Sequence, residues 1–148
     1  MRGGRGALRT LAAHALPPIL ASVLMAALAP AASAQDWDCT RADDLPQQGM
    51  NYCAHLDYQA ADAELNAVWK EVYAAIRARD GEMSADMRGW PQALLSAQRA
   101  WIDYRDGQCA AEGFAFRGGT MEPLIVSGCK AEMTRKRTAE LQALIETY

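Results

Sequence analysis

The sequence predicts an all-α domain, a small antiparallel three-helix bundle with two disulfides that follows an irregular N-terminal segment. Three long stretches carry apolar residues at steps of three and four, which is the spacing of one face of an α-helix. Beyond residue 34, no stretch of useful length alternates apolar and polar residues as a half-buried β-strand does. All four cysteines lie in the same part of the chain, and an even number in an exported chain indicates two disulfides.

Residues 1–34 have the pattern of a Sec-type signal peptide. Arg2, Arg5 and Arg9 form a basic start, residues 11–29 are apolar and almost uncharged, and residues 32–34 are the Ala-Ser-Ala that signal peptidase accepts. Prolines interrupt and end the apolar stretch, which leaves it short of the ~20 residues that span a bilayer. We therefore predict cleavage after Ala34, a periplasmic or secreted product, and no stable membrane anchor after cleavage.

Cleavage at this point leaves an acidic chain. Beyond residue 34 there are twelve basic and eighteen acidic residues, a net charge of −6. Nucleic acid is a poor partner for such a chain, because phosphates require a basic surface. A cationic partner is favoured, since opposite net charge accelerates encounter. The alternative is that the negative charge serves solubility alone.

Residues 35–54 are predicted to form an irregular segment held by its own disulfide. Turn-forming residues occupy positions 43–49 without a sustained apolar period. Of the three possible cysteine pairings, we favour two that each enclose a short stretch rich in turn residues: Cys39 with Cys53, and Cys109 with Cys129. Zinc binding is the alternative, but there is no Cys-x-x-Cys and His55 is the single histidine beyond residue 34, so no metal site is predicted.

The helical domain is predicted for residues 55–148, and its first helix for about residues 57–79. Apolar residues recur there at steps of four, three and four: Leu65, Trp69, Val72 and Ile76. Seven alanines raise the helix propensity of this stretch. Asp80-Gly81 supplies a stop signal at its end.

The second and third helices are predicted for about residues 91–111 and for residues 123 or 125 to 145. Pro91 suits a first helical turn, and Gly113 ends the second helix. We expect Trp101 and its apolar neighbours to face the core, namely Leu94, Leu95, Ala97, Ile102 and Tyr104. A disulfide between Cys109 and Cys129 would fasten these two helices as an antiparallel hairpin.

Three motifs resemble the LprI-type lysozyme-inhibitor-like domain of bacterial envelope proteins. They are Leu65-Asn66-x-x-Trp69, then Ala97-Gln98-Arg99-Ala100-Trp101-Ile102-x-Tyr104-Arg105-Asp106-x-x-Cys109, then Cys129 followed by Met133-Thr134-x-x-Arg137-Thr138-x-Glu140-Leu141. The resemblance covers about residues 53–145. It implies a secreted domain for which inhibition of lysozyme is a candidate function, in a family otherwise largely of unknown function. Trp69 departs from the tyrosine that the family usually has, and no lipid-attachment cysteine follows the apolar stretch.

Polar residues in these motifs permit a catalytic or a structural interpretation. The structural interpretation is favoured, because Gln98 and Arg105, seven residues apart, share one helix face with Trp101 between them. Buried guanidinium groups with satisfied partners would fix how the helices pack. The predicted network contains Gln98, Trp101, Arg105, Asp106 and Arg137. The sequence leaves its pairs open: Arg105 with Glu64 or Glu140, and Arg137 with Asp103 or Asp106.

The residue types required for catalysis do not come together in this sequence, and we predict that the protein is not an enzyme and needs no cofactor. His55 is isolated beside a cysteine, so histidine-based nucleophilic catalysis lacks its other members. Gly118-Gly119 lacks the further glycines of a phosphate-binding loop. The carboxylates of Asp43-Asp44 lie in a short hydrophilic stretch with no sign of a pocket.

Residues 113–122, the connecting segment, lie between the second and third helices. We expect Phe114, Phe116 and Arg117 to contact a partner, because aromatic residues and arginine dominate binding energy at protein interfaces. The alternative, slightly favoured for the two phenylalanines, is that they pack in the core.

The predicted function is a binding protein for lysozyme or another cationic envelope-directed protein. The alternative is a structural or stress-related periplasmic protein that binds another envelope component. Oligomeric state is not indicated.

Overall fold

A computed structural model describes residues 36–147, so the predicted signal peptide and its cleavage site lie outside the described residues. The structure consists of α1 (Gln47–Glu82), α2 (Trp90–Gly113) and α3 (Glu122–Thr147), with 3-10 turns at Cys39–Asp44, Ala85–Met87 and Phe114–Phe116. The prediction of an all-α three-helix fold is confirmed, and residues 36–147 contain no strand. None of these helices combines the length and the apolarity needed to cross a membrane.

α1 begins at Gln47, well before the start near residue 57 that the sequence predicted. Pro46 occupies the N-cap position with φ −62°, which suits the start of a helix. Gly49 lies in the first turn, and an added Cβ there would approach Leu45 Cβ to 2.9 Å and the Trp37 ring to 3.0 Å. This glycine therefore permits the preceding chain to pack closely against α1, whereas the sequence had suggested a turn. With 36 residues, α1 is about 54 Å long.

Both predicted disulfides are confirmed. Cys39–Cys53 joins the first 3-10 turn to α1, with Cα atoms 5.4 Å apart. Cys109–Cys129 joins the last turns of α2 to the first turns of α3, with Cα atoms 5.5 Å apart. Since no cysteine is free, the folded chain suits an oxidising compartment.

The core lies mainly between α1 and α3, which pack together over most of their length. Their C-terminal ends meet where Arg79 Nη2 donates to the carbonyl oxygen of Ile145 at 3.2 Å. Their N-terminal ends meet where Asn51 Nδ2 donates to the carbonyl oxygen of Thr120 at 2.9 Å. The two helices therefore run parallel, and α2 runs antiparallel to both. The central buried cluster is Leu65, Val68, Val72, Ile76, Leu94 and Leu141.

Asp80, at the end of α1, fixes the start of α2. Its Oδ1 accepts hydrogen bonds from the backbone N–H groups of Gly89 at 2.8 Å and Trp90 at 2.9 Å. Gly89 has a φ of +134°, a conformation that other residues rarely adopt. The sequence identified Asp80-Gly81 as a stop signal, and α1 continues to Glu82 while the Asp80 side chain caps the next helix.

The apolar face predicted for α2 is partly wrong. Leu94 is buried and Trp101 is half-buried, but Ala97, Ile102 and Tyr104 are exposed. The face that packs against the other helices instead follows steps of four, three, four and four residues: Leu94, Gln98, Trp101, Arg105 and Cys109. Because two of these five positions are polar, the apolar pattern alone misplaced the face.

Candidate functional site

Arg105 lies at the centre of a polar cluster between the three helices, with 5% of its surface exposed. Its Nε donates to Asp106 Oδ1 at 3.0 Å. Its Nη1 donates to Asp62 Oδ1 on α1 at 3.2 Å and to Thr134 Oγ1 on α3 at 3.3 Å. Arg105 therefore contacts all three helices, and its acidic partners are Asp62 and Asp106, not the two glutamates that the sequence left open.

Two aromatic rings also hold the Arg105 guanidinium. Its Cζ lies 5.3 Å from the centre of the Tyr58 ring and 5.1 Å from that of the Trp101 ring. Lys130 adds a second cation, because its Nζ lies 3.2 Å from Asp106 Oδ1 and 5.6 Å from the Tyr58 ring. Such cation–π contacts strengthen as water is excluded, so burial makes them more effective here than on the surface.

The charges in this cluster stabilise one another. Burial opposes the charged form of Arg105, but its hydrogen bonds to Asp106 and Asp62 and the nearby negative charge outweigh burial and raise the pKa of Arg105. Burial likewise opposes ionisation of Asp106, yet hydrogen bonds from Arg105 and Lys130 lower the pKa of Asp106 below its usual value. Arg105 and Asp106 are thus both ionised at neutral pH and form an ion pair.

Arg137 on α3 extends the network. Its Nε donates to Gln98 Oε1 at 3.0 Å, and its Nη1 donates to Glu140 Oε2 at 2.9 Å. Its guanidinium also lies 6.0 Å from the centre of the Trp101 ring. Trp101 therefore lies close to two arginines, which belong to different helices. Neither of the two aspartates that the sequence offered to Arg137 is its partner.

A cleft of about 400 Å³ opens between α1 and α2, beside this network. Its lining combines aromatic and polar side chains: Tyr58, Asp62, Asn66, Trp69, Gln98 and Arg99, with Arg105 at one side. The sequence had singled out most of these residues separately, but it missed Tyr58 and Asp62. A signal for Asp62 was present, because it precedes Leu65 by three residues and Asn66 by four, which puts it on the same helix face.

The connecting segment is exposed, and the prediction that its phenylalanines pack in the core is wrong. Phe114 is 61% exposed and Phe116 is 38% exposed. The Arg117 guanidinium lies 4.8 Å from the centre of the Phe114 ring. This places an aromatic and cationic surface at the end of the α2–α3 hairpin.

The backbone of the connecting segment is fixed at several points. The N–H of Gly118, which has a φ of +77°, donates to Glu122 Oε2 at 2.8 Å. The N–H of Gly119 donates to the carbonyl oxygen of Phe116 at 2.9 Å. At its base, an added Cβ on Gly113 would come within 2.4 Å of Val126 Cγ2, so α2 and α3 approach closely there. Together with Cys109–Cys129, these contacts fix the backbone that carries the exposed aromatics.

A second groove, of about 490 Å³, lies next to the connecting segment, at the N-terminal disulfide. Apolar side chains of Met50, Leu56 and Leu124 line it, and Asp43 and Asp57 contribute carboxylates. Leu124 belongs to the first turn of α3, directly after the connecting segment. Apolar surface and the carboxylate of Asp43 therefore lie where the connecting segment meets α3, and the carboxylate of Asp57 is paired there with Arg135.

Within residues 36–147, no three side chains of the histidine, cysteine, aspartate and glutamate types are grouped so that they would hold a metal ion.

The fold and these sites together define a class of protein: a small, disulfide-linked helical domain with a buried arginine network and an exposed aromatic segment. The family model for lysozyme inhibitor LprI matches residues 39–141, and the chain belongs to this family. The resemblance noted from the sequence motifs is thereby confirmed.

Similar proteins have been identified in several bacteria. The uncharacterized protein R02472 of Rhizobium meliloti (strain 1021) is 52% identical over 130 residues, which cover 85% of this chain and 92% of that protein. The uncharacterized protein YecT of Escherichia coli (strain K12) is 32% identical over 75 residues, 49% of this chain and 46% of that protein. The crystal structure of a DUF1311 family protein from Pseudomonas putida KT2440 superposes with a TM-score of 0.57 at 25% identity, covering 68% of this chain and 93% of that one.

Proposed function

We propose that the mature chain, released by cleavage after Ala34, is a periplasmic or secreted binding protein that inhibits a lysozyme by protein–protein contact and catalyses no reaction itself. The observation that carries this proposal is the match to the lysozyme inhibitor family over residues 39–141. Oxidised cysteines support a location outside the cytoplasm. The signal peptide pattern of residues 1–34 supports the same location.

The proposed contact surface is the connecting segment, with Phe114, Phe116 and Arg117 as its anchors. These residue types carry a large share of the binding energy at protein interfaces. A segment already fixed by hydrogen bonds and a disulfide loses little conformational entropy on docking, and preorganisation of this kind raises affinity. Phe114 also presents a face to Arg117, so an aromatic and a cation would reach the partner together.

Charge supports a cationic target. The mature chain carries a net charge of −6, and Asp43 lines the groove beside the connecting segment, where Asp57 is already paired with Arg135. Attraction between oppositely charged surfaces accelerates association and disfavours competitors of like charge. Salt screens this attraction over a distance of about 10 Å at 0.1 M.

The proposal predicts that a micromolar excess of the mature protein lowers the activity of at least one lysozyme against cell-wall substrate. Lysozymes of several types are assayed with and without the protein, and the association rate is measured at low and high salt. We expect inhibition, with association that slows markedly as ionic strength rises. Full activity of every lysozyme would remove the inhibitor proposal and leave binding of another envelope component, which a pull-down from envelope extract would identify.

A further inference from the structure

We propose that the cleft between α1 and α2 is a small-ligand site that binds a carboxylated saccharide. This site is separate from the connecting segment, and the proposal does not depend on inhibition of lysozyme. The cleft has a volume of about 400 Å³, within the roughly 300–1,000 Å³ that is usual for small-molecule sites.

Residues of two distant motifs meet in this cleft. Asn66 and Trp69 come from the motif on α1, and Gln98, Arg99 and Arg105 come from the motif on α2. A purely structural role would explain the buried members, Gln98 and Arg105. It does not explain Arg99, whose side chain is exposed at the cleft.

The buried network holds the polar groups of the cleft in fixed orientations. Arg105 donates to Asp62 Oδ1, and Asp62 Oδ2 in turn accepts from Asn66 Nδ2 at 3.0 Å. Asn66 Nδ2 also donates to the carbonyl oxygen of Asp62 at 2.8 Å, which fixes the amide with its Oδ1 free to accept. Groups held by such supporting hydrogen bonds bind ligands with less loss of entropy.

Gln98 is oriented in the same way from the opposite side. Arg137 Nε can only donate a hydrogen bond, so its partner on Gln98 is the oxygen Oε1. The Nε2 group of Gln98 then points elsewhere and is left to donate to another acceptor. Nε2 makes no hydrogen bond to any of residues 36–147. The cleft therefore presents an oriented donor on α2 and an oriented acceptor on α1.

The lining chemistry indicates the class of ligand. Trp69, held by stacking on Tyr73 at 5.2 Å, and Ile102 supply apolar surface suited to the C–H face of a sugar ring. A wholly apolar ligand would leave the polar groups of Asn66 and Gln98 without partners, which is costly. A ring that carries hydroxyl or acetamido groups satisfies both kinds of surface.

Arg99 adds a requirement for negative charge. Its guanidinium makes no ion pair or hydrogen bond with any of residues 36–147, and it lies at the cleft. Arg105 is already paired with Asp62 and Asp106, so Arg99 is the lining cation that is left to bind a carboxylate. Guanidinium binds carboxylate through two parallel hydrogen bonds, so an acidic sugar fits better than a neutral one.

Three soluble probes test the proposal by NMR titration of the mature protein labelled with ¹⁵N. N-acetylmuramic acid carries both the ring and a carboxylate, N-acetylglucosamine carries the ring alone, and lactate carries the carboxylate alone. We expect saturable shifts of the side-chain amides of Asn66 and Gln98 and of the Trp69 indole with N-acetylmuramic acid. Each of the other two probes should bind at least about ten-fold more weakly, since each lacks one of the two recognised groups.

Variants assign the binding to the cleft. Arg99→Gln should weaken binding of N-acetylmuramic acid about 10- to 100-fold, as expected for a lost charge-assisted hydrogen bond. Arg77→Gln, an exposed arginine on α1 away from the cleft, is the matched control and should leave the affinity unchanged. Equal binding of N-acetylmuramic acid and N-acetylglucosamine, no saturable shift at these three side chains, or unchanged affinity in Arg99→Gln would overturn the proposal. Lysozyme inhibition by Arg99→Gln is assayed separately, so that failure of the saccharide proposal can be told apart from failure of the inhibitor proposal.

Discussion

Arg105→Ala is expected to lower the free energy of unfolding by about 3 kcal/mol, because it removes the charged group around which Asp62, Asp106 and Thr134 are arranged. The variant also leaves Tyr58 and Trp101 without the guanidinium that lies against both rings. For a domain of this size, such a loss lowers the thermal midpoint by roughly 10–25 °C. Urea and thermal unfolding measure it directly.

A matched control lies on the same helix. Arg99→Ala removes an exposed guanidinium and should change stability by less than about 0.5 kcal/mol. Arg105→Lys keeps the charge but loses the planar fork, so we expect a loss between those of the two alanine variants. If Arg105→Ala unfolds at the same denaturant concentration as Arg99→Ala, the network does not hold the helices together.

Arg105→Ala should also change how the free energy of unfolding depends on pH. Since folding lowers the pKa of Asp106, the stabilisation that its carboxylate provides is present above the ordinary aspartate pKa and is lost as pH falls through the lowered value. Arg105 supplies part of that lowering. Arg105→Ala should therefore lose less stability than the wild type between neutral and strongly acidic pH, and a parallel decline in both proteins would contradict this assignment.

Removing Cys109–Cys129 is expected to cost about 3 kcal/mol, since the bond closes a loop with a sequence separation of 20. The paired substitution Cys109→Ala with Cys129→Ala is the appropriate variant, because Cys109 is fully buried and alanine leaves no unpaired polar group there. Chemical denaturation measures the loss. A change below about 1 kcal/mol would mean that helix packing alone fixes the α2–α3 hairpin.

The other disulfide provides a control for function. Cys39–Cys53 closes a loop with a sequence separation of 14, so its removal should cost nearly as much stability. It borders the groove beside the connecting segment, whereas Cys109–Cys129 lies at the base of that segment. At a temperature where both double variants are folded, the loss of Cys109–Cys129 should weaken inhibition more than the loss of Cys39–Cys53 does. Weakening that is as large or larger without Cys39–Cys53 would indicate that the connecting segment is not the main contact surface.

Much of the fold could be predicted from local patterns. The apolar period of Leu65, Val72 and Ile76 located α1, and the turn-rich stretches between the cysteines gave both disulfide pairings. The start of α1 was missed because Gly49 was interpreted as a turn signal, whereas it is required for close packing by Trp37. That requirement comes from a tertiary contact, which local propensity does not contain.

The sites were less predictable because they depend on contacts across helices. Gln98, Arg105 and Arg137 were identified as network residues, yet the partners Asp62 and Thr134 lie 43 and 29 residues from Arg105. Charge spacing along one helix could not select them. Phe114 and Phe116 were assigned slightly in favour of the core, but both are exposed in the segment that joins α2 to α3.

The central claim is that the exposed aromatics of the connecting segment contact the lysozyme. It is tested by an inhibition titration of the double variant Phe114→Ala with Phe116→Ala, against a lysozyme that the wild type inhibits. The control is Tyr104→Ala, which removes another exposed aromatic, 60% exposed on α2. Truncating anchor residues costs about 2 kcal/mol or more of binding free energy, which corresponds to about 30-fold in affinity. We therefore predict that the double variant inhibits at least about 30-fold more weakly, while the control matches the wild type. Inhibition by the double variant at wild-type strength would contradict the account.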